Sequence, residues 1–419
     1  MKQMATRALW HNTLGWSSPE RISSELRRRL AIGALALALY LLQLNRSLAE
    51  DHFDYRFEAY REEAGRIGVD TSSWLFEKKI TPWLSLQGEA VYDVISGATP
   101  IGAPPPADIK ALFPQAGPLS NSVPLTFMKD KRWAGVMNAE MTFGRHHITP
   151  QFSYSTEHDY ISWGGALNYS IDLNQKNTSL NAGWSHDYDT ILATPVTFIT
   201  QNQRKNTDDI LIGVDQLLSP KTVLTVNFTF RASHGYQDDP YRGVVFDDYP
   251  QADLNKPALF AEHRPDFKQA YIGFISVLQY ITPLNGGLEG SYRPYYDSFG
   301  ILSHTLALSW HQKIGKRFLV SPVFRYYRQT AADFYGTQFA GDPSNPFDPT
   351  PVPKYYSADY RLSEMETFTM GIELSARVTD WLTLDAAYKR YDMRGLDGVT
   401  SQSAFPKANI FTVGLRLWF

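Results

Sequence analysis

The stretch from Phe411 to Phe419 constrains this chain more than any other. Phe411, Val413, Leu415, Leu417 and Phe419 are apolar, while Thr412, Gly414, Arg416 and Trp418 between them are mostly polar, small or amphipathic. A period of two means a strand with one oily face. In water such a face needs a partner sheet, because an uncovered apolar strand pairs with whatever it meets. Against a bilayer it needs none, because lipid covers it.

The same residues resemble the C-terminal assembly signal of bacterial outer-membrane β-barrels. The resemblance rests on Thr412, Gly414, Leu417 and Phe419, and it implies the barrel-assembly machinery as a partner and outer-membrane lipid as surroundings. The rest of the chain agrees with that expectation. Leu224, Val226, Phe228 and Phe230 alternate with Thr225, Asn227, Thr229 and Arg231, and Leu302, Leu306, Leu308 and Trp310 alternate with Ser303, Thr305, Ser309 and His311. Sixteen segments read as strands: 51–61, 67–80, 83–94, 132–143, 147–157, 160–173, 177–188, 207–218, 221–233, 267–281, 287–297, 300–312, 317–332, 359–377, 381–391 and 407–419.

Loop lengths supply an independent signal. Every second connection is short and rich in turn residues, as at Thr81-Pro82, Gly144-Arg145-His146, Asn174-Gln175-Lys176, Ser219-Pro220-Lys221 and Gly315-Lys316. The long loops, 95–131, 189–206, 234–266, 333–358 and 392–406, fall between them. With both termini periplasmic, every long loop lies outside the cell. The predicted fold is therefore all-β: a transmembrane antiparallel up-and-down barrel of about sixteen strands, with short periplasmic turns and long extracellular loops.

Composition narrows the alternatives. Mean hydropathy is −0.31, too polar for a bundle of membrane helices, and 14% of residues are aromatic, which suits the girdles of a membrane barrel. The apolar run Leu30 to Leu44 is short for a span. It follows Arg27-Arg28-Arg29 and precedes Ser47-Leu48-Ala49, so residues 1–49 read as a secretory signal peptide cleaved after Ala49, and 50–419 as the barrel domain. The absence of cysteine excludes disulfides and thiolate metal sites. The net charge of −3 leaves no basic surplus for a nucleic-acid partner. Arg231, Glu373, Asp385, Lys389 and Arg416 are expected to face the lumen. Both signs occur there, so strong ion selectivity is not expected.

One motif points to chemistry. Asp93-Val94-Ile95-Ser96-Gly97-Ala98-Thr99 resembles the acceptor sequence of flavin transferases, with Asp93, Ser96, Gly97, Ala98 and Thr99 at the specified positions. That resemblance implies covalent FMN, joined to the Thr99 hydroxyl through a phosphoester, and a flavin transferase as partner. Gly97 and Ala98 are small enough for a close approach to the transferase. The hydroxyl is a poor nucleophile and depends on the transferase for activation. Asp93 is expected at a strand end, where it helps to present the segment. The plain alternative is that Gly97, Pro100, Gly102 and Pro104-Pro105-Pro106 only turn the chain out of the third strand.

The N-terminal third also resembles an uncharacterised bacterial family, the domain of unknown function 3570. The resemblance is carried by Asp54-Tyr55-Arg56, Tyr60, Gly65-Arg66, Val69-Asp70, Thr81-Pro82-Trp83 and Tyr92-Asp93 running into Ser96-Gly97-Ala98-Thr99-Pro100. It implies a secreted outer-membrane barrel with flavin-transferase neighbours, and no substrate.

Other signals are weaker. Asp238, Asp239, Asp247, Asp248 and Asp253 have oxygen ligands but no calcium-loop spacing, and read as a solvated acidic loop. His146 and His147 point to opposite faces of an extended chain and share no ligand. His158-Asp159 lacks a serine or acid spaced as a nucleophile for hydrolysis. Tyr326-Tyr327 and Tyr355-Tyr356 read as girdle or rim aromatics. Three functions follow: a barrel bearing FMN on Thr99 for electron transfer in the cell envelope, a passive or substrate-selective pore without cofactor, or an enzyme or adhesion scaffold using the outer loops.

Overall fold

A computed structural model describes residues 51–100, 125–246, 259–345, 347 and 349–419. The leader, its cleavage point and most of the first long loop lie outside the described residues. Sixteen long strands form one antiparallel barrel: β1 (His52–Glu62), β2 (Gly68–Thr81), β3 (Leu84–Pro100), β4 (Leu125–Phe143), β5 (His146–Thr156), β6 (Tyr160–Leu173), β7 (Thr178–Ile191), β8 (Gln203–Ser219), β9 (Thr222–Gly235), β12 (Phe267–Ile281), β13 (Gly286–Asp297), β14 (Leu302–Ile314), β15 (Phe318–Gln329), β16 (Met365–Arg377), β17 (Leu382–Gly395) and β18 (Lys407–Trp418). Two short strands, β10 (Gly243–Val245) and β11 (Leu259–Ala261), make a separate hairpin in the loop after β9.

Each long strand pairs with its neighbours in sequence, and β18 pairs with β1 from His52↔Trp418 to Glu62↔Ala408 to close the cylinder. All sixteen strands expected from the alternation are present. Short turns alternate with long loops, so every long loop gathers at one end. At the short-turn end, Asn174, Gln175 and Lys176 take φ of 49°, 56° and 70°, the left-handed geometry that turns a strand back within three residues.

Alternation sorts side chains between two solvents. Ile210, Ile212, Leu306, Leu308, Met370 and Ile372 lie on the outer surface, and Ile212 is 57% exposed. Such a face is stable only against lipid. Trp83 stacks on Phe143 at 5.7 Å near the short turns, and Tyr326 meets Phe368 at 4.9 Å near the opposite end, as interface aromatics do. Inward positions carry the charges. Arg231 pairs with Asp209 at 2.6 Å, Lys389 with Glu373 at 2.6 Å and Arg416 with Asp54 at 2.6 Å.

The boundaries differ where loops were expected to begin. β3 continues to Pro100 and β4 starts at Leu125, so the first hairpin extends further before it opens. Proline ends that ladder naturally, because it has no N–H to give. β16 starts at Met365 rather than near 359, because Asp359 accepts from the Arg361 backbone N–H and caps a helical turn, Tyr360–Leu362.

The seam between β1 and β18 closes the barrel, and Arg416 donates two hydrogen bonds to Asp54 across it, each 2.6 Å. Arg416→Ala leaves Asp54 half-buried without its cation and is expected to cost on the order of 2 kcal/mol. Urea unfolding in micelles measures this. The variant Asp54→Asn/Arg416→Ala should lose less than the sum of the single losses, and strictly additive losses would show that the pair does not clamp the seam.

Candidate functional site

The motif residues lie on the upper half of β3, inside the strand rather than in a loop. Gly97 has φ of +130°, and a Cβ built there would come within 1.9 Å of the Arg66 carbonyl oxygen. Only glycine fits, because the turn after β1 presses its backbone against β3. Asp93 is buried, accepts from the Thr71 hydroxyl at 2.6 Å and lies 3.6 Å from Arg132. Six extended residues separate it from Thr99, about 20 Å of strand. Asp93 therefore lies within β3 rather than at the strand end expected from the sequence, and it anchors β3 to β2 and β4. Ser96 borders Gly68 of β2, with its Oγ 3.5 Å from where a Cβ on Gly68 would sit.

Thr99 is 4% exposed, with buried Ala98 and Pro100 on either side. Its Oγ1 accepts from Nη2 of Arg242 at 3.5 Å. Arg242 belongs to the loop after β9. In the strand order β3 is the sixth neighbour from β9, so this contact spans the outer mouth of the barrel. Arg242 is 3% exposed, and its Nε and Nη1 make no hydrogen bond. Nε lies 3.4 Å from Asp239 and 3.9 Å from Asp359, too far for strong bonds, and the guanidinium sits over the Tyr360 ring at 5.7 Å. Two buried donors with no acceptor are costly.

Around Arg242 lies a buried ionic network that joins the loop after β9 to the loop after β15. Arg361 donates to Asp359 from Nε at 2.9 Å and from Nη2 at 2.5 Å, and also to Asp239. Arg264 pairs with Asp359 at 2.9 Å and Glu262 at 2.6 Å. Ser357 donates to Glu262. Burial alone would raise the Asp359 carboxyl, but Arg361, Arg242 and Arg264 hold it far below the usual carboxylate range. Burial pushes Glu262 up to about 7 despite Arg264. The three guanidiniums thus share Asp239, Asp359 and Glu262, and Asp238 accepts from the Arg264 backbone N–H at 2.6 Å.

An apolar cluster reinforces the join. Val244, Phe246 and Ala358 form its buried centre, with Phe339, Val352 and Tyr356 against it. Asp239 is ion-paired and largely withdrawn from water, so the solvated acidic loop is corrected at that residue; Asp247, Asp248 and Asp253 lie outside the described residues. Tyr356 is corrected from a rim aromatic to a member of this cluster. His146 and His147 do take separate partners, Tyr169 at 2.7 Å and Thr142 at 3.0 Å.

A second polar cluster sits at the turn between β5 and β6. Ligand atoms of Asp130, His158 and Asp159 lie within 4.8 Å of one another, a set that could hold a metal ion. His158 Nδ1 is already 2.9 Å from Asp130, and Tyr241 of the outer loop donates to Asp159. The contacts thus tie the loop to the rim.

Burial pushes neighbouring Glu157 up to about 8, with Asp130, Asp159 and Asp93 adding to the effect and Arg132 opposing it. The folded protein therefore holds this proton after the unfolded chain has released it. Stability from this group is present below about pH 4.5, the ordinary glutamate range, and is lost as pH rises towards 8. Glu157→Gln should flatten the fall in unfolding midpoint between pH 5 and 9. Parallel profiles for variant and wild type would overturn this assignment.

Three solved structures show a low-identity similarity to this chain. The siderophore receptor PirA from Pseudomonas aeruginosa is 11% identical, with a TM-score of 0.41 over 88% of this chain, which spans 62% of the receptor's length. A bacterial polysaccharide outer membrane secretin is 8% identical, with a TM-score of 0.46 over 89% of this chain and all (100%) of its own. OmpT, an outer membrane protein of Vibrio cholerae, is 8% identical, with a TM-score of 0.40 over 90% of this chain and 99% of its own. No curated protein sequence matches the chain. The profile of a protein of unknown function, DUF3570, matches residues 28–404. That match covers nearly all of the barrel, including the Asp93–Thr99 segment and both loops of the ionic network, and the chain belongs to the DUF3570 family.

Proposed function

We propose that this chain is an outer-membrane barrel carrying FMN on Thr99, esterified through the flavin phosphate, at the outer end of the lumen, where it serves electron transfer in the cell envelope. The observation that carries the reading is the pair of unsatisfied N–H groups on Arg242, whose third nitrogen touches the Thr99 hydroxyl. A phosphodiester at that oxygen would bring a further negative charge and acceptor oxygens to a guanidinium whose carboxylates, at 3.4 Å and 3.9 Å, leave Nε and Nη1 without hydrogen bonds. Arg264 and Arg361 stand close by, each already paired with two carboxylates. Gly97 fixes the backbone two residues before the attachment point. The flavin, when bound, supplies one- or two-electron redox chemistry. The chain's own part is to hold the phosphate, keep the ester linkage away from water and fix its position at the mouth.

The passive-pore reading is less favoured on one observation. The loop after β9 crosses to β3 and locks onto the loop after β15 through ionic and apolar contacts, which obstructs the mouth that solutes would use.

Intact mass and in-gel flavin fluorescence of protein from a host containing a flavin transferase test the proposal. Wild type should carry an FMN-sized adduct and Thr99→Ala none. Arg242→Gln should still be modified, because the transferase makes the bond, but with a flavin reduction potential shifted towards more negative values once the cation is gone. An unmodified wild type, with the transferase shown to act on another substrate in the same cells, would overturn the proposal.

A further inference from the structure

Most basic residues of the lumen wall have a carboxylate partner. Lys205 has Asp189 at 3.1 Å, Arg231 has Asp209 at 2.6 Å, Lys268 has Asp297 at 2.8 Å, Lys389 has Glu373 at 2.6 Å and Arg416 has Asp54 at 2.6 Å. Arg293 on β13 and Arg325 on β15 break the pattern. Neither has a carboxylate partner among the described residues, yet both are half-buried. Glu289 and Asp297, each four residues from Arg293 on its own strand, are engaged with His311 at 3.3 Å and Lys268 at 2.8 Å. Arg56 also lacks a carboxylate, but it is exposed and solvated.

The ladder brings the two arginines to one patch of wall. Arg293 pairs with Thr305 and Arg325 with Ala307 on the intervening strand β14. Two strand spacings across and two residues along put their Cα atoms about 12 Å apart, within joint reach of two long side chains. Tyrosines surround them. Arg325 lies over the Tyr327 ring at 5.8 Å, and Tyr295 and Tyr391 stand on the same inner face. The Tyr295 and Tyr327 hydroxyls are already committed, to Asp297 at 2.6 Å and Gln329 at 2.5 Å, and Lys268 lies over the Tyr295 ring at 5.9 Å, so the two tyrosines offer ring edges and any face left uncovered, not hydroxyls.

We infer that Arg293 and Arg325 form an anion-binding site in the lumen, below the loop network, for a small organic anion that joins a carboxylate or phosphate to an aromatic or apolar body. Two like charges held together in a narrowed, partly dehydrated lumen repel each other, and a bidentate anion relieves that repulsion. Guanidinium suits both carboxylate and phosphate, while the tyrosine rings favour a flat body over a bare inorganic ion. Because the outer mouth is crossed by loops, the route in is from the short-turn end. The site needs no flavin and stands on different residues.

Saturation-transfer NMR on the full-length protein in micelles tests the inference, with benzoate, phenyl phosphate and neutral benzyl alcohol as probes. Benzoate or phenyl phosphate should receive saturation and benzyl alcohol should not; the stronger of the two anions identifies the headgroup class. Arg293→Gln/Arg325→Gln should bind at least tenfold more weakly while keeping the heat-modifiable gel mobility of a folded barrel. Arg293→Lys/Arg325→Lys should retain part of the binding, and Thr99→Ala all of it. Equal binding by wild type and the glutamine variant, or equal transfer to benzyl alcohol, would overturn the site. Loss of binding in Thr99→Ala would overturn its independence from the flavin position.

Discussion

The closure of β18 onto β1 is the constraint on which everything else depends. Lipid offers no hydrogen bonds, so each strand's N–H and C=O groups must find partners in the sheet itself. An open sheet leaves two edges unsatisfied, and here the edges meet over an eleven-residue ladder. Once the cylinder is closed, the period-two pattern does the rest. It sends apolar residues to lipid and collects charge inside, where ion pairs between neighbouring strands stiffen the wall. The lumen is therefore a consequence of satisfying the backbone.

A closed wall also provides a rim, and the outer loops use it. Buried ion pairs seldom add stability on their own, because desolvation offsets their attraction. Their value here is geometric. Asp359 accepts from Arg361 and Arg264 together, and Glu262 accepts from Ser357 and Arg264, so the loops after β9 and β15 can dock in only one way. Tyr241 on Asp159 and Arg242 on Thr99 then fix that unit to two other points on the rim. The cost of this rigidity is the incompletely satisfied Arg242, which is where the functional reading begins.

The barrel was legible in the sequence because alternation and loop length are local properties. Leu224 to Arg231 declares its two faces without reference to any other strand. The site was legible only at Thr99 itself. Arg242 is 143 positions away, in a loop whose acids suggested solvent, and no local pattern marks it as the neighbour of a threonine. Asp239 misled for the same reason, since its cation, Arg361, is 122 residues further on. Gly97 was seen as small, but the reason for its size is the Arg66 carbonyl, which only the β2–β3 pairing brings close. Counting lumen charges hid the unpaired arginines as well. The sequence contains both signs; register decides which cations have an acid within reach.

The burial of Thr99 bears on the order of events in the proposed function. A transferase must enclose the hydroxyl it modifies, yet in the folded barrel that hydroxyl is covered, held by Arg242 and flanked by buried Ala98 and Pro100. The strand pairing of Thr99 with the backbone of Thr126 adds a further obstacle. Esterification is therefore favoured before β3 and β4 join and before the loop after β9 closes, when the segment is an extended chain. Such a chain exists on the inner side of the outer membrane, before insertion. On this reading the phosphate would be in place when Arg242 arrives, and Nε and Nη1 would find acceptors during closure rather than afterwards.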